Sequence, residues 1–278
     1  MNWFSLPVSA EQQPASDLRM DLPQSARIHD YLLGGKSHFA ADREAAQASV
    51  TAWPALPATA RAGRSFMQRV VRVLAAEHGV RQFINIGTGF PAFPNVHNIA
   101  QDVIPDTRVA YIDNDPIVLA HARALMPSAK EGGTYFIEAD LRDPDTILSA
   151  LRLSGAVDFT SPTAVLLTGI MHFFVDAEEL RGVVRRLLDE VAPRSFLALT
   201  AFTADHNAEG PCRVAGEYNA RGIPLRVRNR QSLLSYFDGC HLLDPGVTLV
   251  HRWRPDAGAV PAPDRDIAVY GGVAAKPY

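Results

Sequence analysis

The sequence predicts a doubly wound α/β fold, a mostly parallel sheet covered by helices on both faces. Three observations predict it. Short apolar runs at 83–86, 109–112, 134–139, 164–168 and 195–201 alternate with helix-length segments, the pattern of parallel strands joined by crossover helices. The first run, Phe83-Ile84-Asn85-Ile86, ends in Gly87-Thr88-Gly89, a turn suited to positive φ and close approach of backbone to a ligand. Two final candidates, 247–253 and 267–273, are joined by a Pro-rich loop over 254–264 and no helix, so they should pair antiparallel. The expectation is a seven-stranded, mostly parallel sheet with an antiparallel last strand, preceded by an N-terminal helical lid.

Taken in order, residues 1–24 read as a flexible tail rich in Ser, Pro, Gln and Glu. Residues 25–79 form a helical segment. Ser25 can cap a helix with Ile28, Tyr31 and Leu32 on one face, ended by Gly34-Gly35. A second, Ala-rich helix covers 40–50, and Trp53-Pro54 breaks the chain. A long amphipathic helix over 58–78 buries Phe66, Val70, Val73 and Leu74 and stops at Gly79. Arg27, His29, Asp30, Tyr31, Lys36, His38 and Asp42 decorate this segment, as a solvated helical hairpin or as a lid over a ligand mouth. Residues 80–278 form the sheet domain, with helices over 95–103, 116–126 (Pro116 in its first turn), 145–151, 177–191 and 230–237. The stretch 205–228 reads as polar and irregular.

The chain has 278 residues, 47% hydrophobic and 21% charged, the balance of a soluble globular protein with ample core. A formal net charge of -3 supplies no basic footprint for nucleic acid or an acidic membrane. No apolar stretch approaches the roughly 18 residues that cross a bilayer, and the start lacks the basic and apolar regions of a secretory signal. Two cysteines, Cys212 and Cys240, make a disulfide framework improbable on numbers alone and fit a reducing cytoplasm. No Gly-x-Ser-x-Gly elbow or phosphate-cradling loop occurs, and no metal-ligand spacing is evident around Asp205, His206 and Cys212.

The second strand ends in Asp113, roughly 20 residues past the glycines, the pattern that grips an adenosine ribose through its hydroxyls. Gly87-Thr88-Gly89-Phe90-Pro91-Ala92 also matches a dinucleotide fingerprint, which keeps a nicotinamide-dependent oxidoreductase in play. Against that reading, Pro91 and Pro94 delay the helix whose N-terminus would hold a pyrophosphate. Asp140 at the end of strand three, beside Leu141, suits an adenine amino group and ring instead. His172, just past strand four, is either a general base or a satisfied core histidine in the apolar run Met171-His172-Phe173-Phe174. His38, His206 and Asp205 are rim alternatives.

Three strings carry a family resemblance: Ala26-Arg27-Ile28-His29-Asp30-Tyr31-Leu32-Leu33-Gly34-Gly35-Lys36, Phe39-Ala40-Ala41-Asp42-Arg43-Glu44 and Asn85-Ile86-Gly87-Thr88-Gly89-Phe90-Pro91. With Asn95-Val96-His97, the runs at 109–116, 139–144 and 166–173, Pro245-Gly246-Val247 and Trp253-Arg254-Pro255, they make the chain, from about Gln24 onward, similar to a bacterial S-adenosylmethionine (SAM) methyltransferase family once catalogued as a domain of unknown function. The resemblance implies a Rossmann-like class I methyltransferase sheet, SAM as cofactor and S-adenosylhomocysteine as product. It implies that Gly87, Thr88 and Gly89 pass under the cofactor with Asn85 near its methionine end. Asp113 would hold the ribose, Asn114 flank the adenine, and Asp140 and Leu141 fix it. Thr168 and Gly169 would face the transferring methyl, and Tyr31 and Lys36 would close over the methionine. The chain departs from the family at Ser37-His38, where Asp-Asn is usual, and at Asn85, where the general methyltransferase turn is acidic. The implied activity is methyl transfer to a small-molecule acceptor, without nucleic-acid or membrane partners. The alternatives are a SAM-binding protein without catalysis and the oxidoreductase.

Overall fold

The computed structural model describes residues 19–127, 131–260 and 262–277; most of the expected N-terminal tail lies outside them. Eight strands form one sheet. Five are parallel: β1 (Gln82–Ile86), β2 (Arg108–Asp113), β3 (Gly133–Glu138), β4 (Ala164–Leu167) and β5 (Phe196–Phe202). β6 (His241–Leu242), β7 (Thr248–Leu249) and β8 (Val269–Ala275) close the sheet. β8 runs antiparallel to β5, and both short strands run antiparallel to β8. The order is β3-β2-β1-β4-β5-β8-β6, with β7 on β8. The chain therefore reverses direction of travel at β1/β4, where a crevice opens beyond the strands' carboxyl ends.

Nine helices are described: α1 (Ser25–Leu32), α2 (Ala40–Ala52), α3 (Leu56–His78), α4 (Val96–Val103), α5 (Pro116–Leu125), α6 (Pro144–Ser154), α7 (Ala177–Glu190), α8 (Glu209–Ala220) and α9 (Arg230–Leu234). Strand periodicity sorts the core. Phe83, Val109, Tyr111, Ala164 and Leu166 meet Phe66, Val70 and Leu74 of α3 on one face. Ile84, Ile86, Ile112, Val165 and Leu167 meet Ile147 of α6 and Leu180 and Val184 of α7 on the other. A third cluster stands apart. It joins Ile28, Leu32, Trp53, Leu56 and Ala60 of the N-terminal segment to Phe202, Val214, Tyr218 and Leu225.

Three local expectations change. Ser25 is the first helical residue rather than the cap. The entry to α1 is fixed instead by the fully buried Asp42, whose carboxylate accepts the N–H groups of Gln24 at 2.9 Å and Phe39 at 2.8 Å. The stretch expected to be irregular contains α8, a helix because Gly210, Val214, Ala215 and Tyr218 form a buried stripe and Gly210 packs under Trp53. The sixth strand shrinks to Thr248–Leu249, and a separate two-residue strand, His241–Leu242, makes eight. Beyond Leu249, Arg69 claims the Trp253 and Val250 carbonyls at 3.0 and 2.6 Å, drawing the chain into a 3-10 turn. Among the described residues no helix is long and apolar enough to cross a membrane.

Candidate functional site

A cavity of about 410 Å³ opens over the carboxyl ends of β1 to β4 and is walled on its other side by α1, α3 and α8. That volume lies in the ordinary range for small-molecule sites.

The turn after β1 is shaped by two glycines in the left-handed region, Gly87 at φ 72° and Gly89 at φ 62°. The N–H groups of Gly87 and Thr88 both donate to the Ile112 carbonyl, at 2.9 and 3.2 Å, which staples the turn to β2. A Cβ at Gly87 would lie 2.5 Å from Ile170 Cδ1, whereas one at Gly89 would meet nothing within 4 Å. The first glycine thus serves contact with the loop after β4, and the second leaves open space above the backbone. Asn85, 7% exposed, lines the cavity beside them.

Asp113 organises the next strand end. Its Oδ2 accepts the Gly89 N–H at 2.9 Å and its Oδ1 the Asp115 N–H at 3.0 Å. Burial holds its carboxyl above the usual range, and the N–H bonds pull the other way. Two accepted bonds leave lone pairs free on both oxygens. Asp140 is more exposed and already engaged. It accepts Asn114 Nδ2 at 3.0 Å and the Arg142 N–H at 2.8 Å, with the Arg142 guanidinium at 3.3 Å. That guanidinium also sits 4.9 Å from the centre of the Phe174 ring. Leu141 is buried in the lining. The connection from Gly89 to α4 runs through Pro91 and Pro94, so the helix starts only at Val96. No helix N-terminus follows the glycines directly, as a pyrophosphate would want.

Thr168, Gly169 and His172 line the cavity past β4. Gly169, at φ 79°, donates its N–H to Thr200 Oγ1 at 2.7 Å. His172 lies in a 3-10 turn, Met171–Phe173, clamped by the buried Arg228, which donates to the Met171 and Phe174 carbonyls at 3.0 and 2.6 Å. Its Nδ1 is buried without a hydrogen-bond partner. Burial, reinforced by the Arg228 charge and by coupling to the His29 imidazole, pushes His172 down to about 3. His29 stands exposed inside the cavity, yet desolvation and then Arg64 push it down to about 4. Both imidazoles are therefore neutral at pH 7.

The structure brings Asn85, Gly87, Thr88, Gly89, Asp113, Asn114, Asp140, Leu141, Thr168, Gly169 and His172 to one cavity. It places Tyr31 and Lys36 outside the lining. Tyr31 packs edge-on against His38 at 5.2 Å and accepts Gln47 Nε2 at 3.4 Å, and Lys36 is exposed. The segment instead contributes Gln24, Ser25, Ala26 and His29. Nor do the rim candidates reach the cavity. His38 Nε2 bonds the Gly35 carbonyl at 3.1 Å, His206 the Tyr270 hydroxyl at 3.0 Å, and Asp205 accepts the Arg230 N–H at 3.0 Å. Among the described residues no group of His, Cys, Asp or Glu is gathered to hold a metal.

Arg64 escaped the sequence reading. It lines the cavity from α3 and donates to the carbonyls of Ala92 and Pro94. Burial lowers its pKa, and among the described residues no carboxylate pairs with it. No local signal marks it, because its partners, the Ala92 and Pro94 carbonyls, meet α3 only in the fold.

A family model described as S-adenosyl methyltransferase matches residues 11–277. The solved structure of a DUF574 family protein from Streptomyces avermitilis superposes with a TM-score of 0.90 at 46% identity, covering 94% of this chain and 100% of that one. A putative methyltransferase from Thermobifida fusca gives 0.86 at 33% identity, covering 96% and 100%. An O-methyltransferase family protein from Burkholderia thailandensis shares the fold at 0.50 and 15% identity, covering 94% and 66%. No curated protein matches.

Proposed function

Because the chain belongs to the S-adenosyl methyltransferase family, whose cofactor is SAM, we propose that it transfers a methyl group from SAM to a small-molecule acceptor bound in the same cavity. One observation carries the reading: the Gly89 N–H donates to Asp113 at 2.9 Å, joining the open glycine turn and the ribose-type carboxylate in one unit. The residues fit the cofactor on their own chemistry. Asp113 is desolvated and keeps free lone pairs for two hydroxyls, and the space above Gly89 is empty of side chains.

In this reading Asp113 accepts from both ribose hydroxyls. Leu141 packs on the adenine, while Asp140 and Asn114, tied together at 3.0 Å, edge it. Gly87, Thr88, Gly89 and Asn85 lie along the methionine end. Arg64, a half-buried cation without an acidic partner, takes the carboxylate there. Thr168 and Gly169 border the reacting methyl.

SAM, when bound, supplies a methyl carbon already activated by a sulfonium. What remains for the protein is to position the nucleophile, to exclude water and to accept a proton where the nucleophile carries one. His172, neutral and part of the cavity lining, suits the last role.

Calorimetric titration tests the reading, with SAM and S-adenosylhomocysteine against NAD and NADP, repeated on Asp113→Ala. Binding of the first pair, lost in the variant, is the expected result. Binding of a dinucleotide instead would overturn it.

A further inference from the structure

The cavity has two chemically distinct ends. Nearly all its charged lining, Arg64, Asp113, Asp115, Asp140 and Arg142, belongs to the end assigned to the cofactor. Asp30, the remaining charged side chain of the lining, is turned into its own loop. Its Oδ2 takes the Ser37 N–H at 2.7 Å, and a Cβ at Gly35 would lie 2.0 Å from its Oδ1. The other end is walled by Leu56, Phe173, Phe202, Val214, Tyr218 and Leu225. The Phe173 and Tyr218 rings lie within 27° of parallel, centroids 6.3 Å apart, and present flat aromatic surface. Polar groups there are few: the imidazoles of His29 and His172 and the hydroxyls of Thr200 and Tyr218. A charged acceptor entering that end would lose its hydration and meet no opposite charge.

Resting on the methyltransferase reading, we infer that the acceptor is an uncharged aromatic molecule whose nucleophile is a neutral hydroxyl presented to the His172 imidazole, which lines that end. Ring-on-ring contact with Phe173 and Tyr218 supplies affinity, and the His172 imidazole gives the hydroxyl a neutral hydrogen-bond partner. In the transfer, the hydroxyl oxygen forms the bond to the methyl carbon, the carbon–sulfur electron pair stays on sulfur, and the proton passes to the imidazole. An imidazolium then replaces the sulfonium as the single positive charge of the reacting pair.

The test uses the full-length protein saturated with S-adenosylhomocysteine, whose binding is measured first. Three probes of similar size follow by calorimetry: 2-naphthol, 2-naphthoate and 2-naphthylmethylammonium. The expected result is binding of 2-naphthol at least tenfold tighter than either ion, with the absorption spectrum of the neutral naphthol retained. Phe173→Leu should weaken that binding several-fold while leaving S-adenosylhomocysteine affinity unchanged. In turnover with 2-naphthol, His172→Gln should be slow near neutrality and recover as pH approaches the naphthol's own ionisation, whereas the native protein shows no such rise. Equal or tighter binding of an ion, or no binding of the naphthol, overturns the acceptor class while the cofactor reading stands. Absence of S-adenosylhomocysteine binding overturns the cofactor reading first, and the acceptor inference with it.

Discussion

At the strand-edge end of the cavity, the ligand-facing groups come from short turns directly after β1, β2, β3 and β4. Each is aimed by the strand before it, and neighbouring turns are tied through backbone, as Gly87 and Thr88 are to the Ile112 carbonyl. At the far end, the wall is assembled from α1, α3 and the stretch from α8 to α9, pieces distant in the chain that meet largely through side-chain packing. The first end is polar, charged and fixed by hydrogen bonds. The second is apolar, with two neutral imidazoles. In doubly wound folds the sheet edge is rigid and general, and appended helices give a binding site its own chemistry. The division predicts that damage to one end should leave the other intact.

The largest expected effect falls on the polar end. Asp113→Ala should reduce affinity for SAM and S-adenosylhomocysteine by about 100-fold or more, since two hydroxyl bonds to a charged group are lost. Asp113→Asn should bind almost as poorly and, because its amide nitrogen cannot accept the second of the two backbone N–H groups, lose some stability while becoming less sensitive to pH. Burial raises the Asp113 pKa in the folded state. The folded protein therefore holds a proton the unfolded chain has released, and stability falls as pH rises between the two values. A neutral amide removes that cost. Thermal melts of both variants across pH read it directly, and a pH dependence in Asp113→Asn equal to that of the native protein would contradict the assignment.

Arg64→Gln comes next. Removing a charge-assisted contact to the methionine carboxylate should cost roughly 10-fold to 100-fold in affinity for SAM and S-adenosylhomocysteine. Binding of 5′-methylthioadenosine, which lacks the amino-acid end, should be unchanged. An equal loss for all three ligands would make Arg64 a structural clamp on the Ala92–Pro94 connection instead.

These two residues also mark how far sequence reading reaches. The place of Asp113 in the cavity was legible because its signal is local: an apolar run, a glycine turn, and a carboxylate at the next strand end. Arg64 was not, because its meaning depends on α3 lying beside the Pro91–Pro94 connection, a contact no periodicity encodes. The sheet was legible for the same reason as Asp113, apart from the two-residue strands β6 and β7, the second cut short where Arg69 takes the carbonyls of Val250 and Trp253. Helix α8 was missed because Gly210, Ala215 and Tyr218 look like loop residues until Trp53 and Phe202 are placed against them. Tyr31 and Lys36 fall outside the lining because α1 presents Ser25, Ala26 and His29 to the cavity.

The apolar end can be broken separately. A Cβ at Gly210 would lie 2.3 Å from Trp53 Cδ1, in a side chain only 5% exposed that cannot swing away. Gly210→Ala should cost about 1–3 kcal/mol of stability through overpacking. Cofactor affinity should stay within about twofold, a change of under half a kcal/mol. A parallel loss of cofactor binding would show the two ends to be one cooperative unit.

The smallest expected effect concerns the imidazoles of the apolar wall. Folding lowers His172 from 6.5 to about 3 and His29 from 6.5 to about 4. Between those values and 6.5 the unfolded chain binds protons that the folded chain does not, so stability is complete above about 6.5 and declines as pH falls. The ligand-free protein should therefore show a melting temperature that drops steadily from pH 7 towards pH 4. His172→Asn, which cannot take up a proton in either state, should flatten that slope. His29→Asn should flatten it less, because the His29 ring stands where solvent reaches it and can hydrate the charge. Equal slopes in all three proteins would mean that neither imidazole is desolvated, and the wall would then admit charged acceptors.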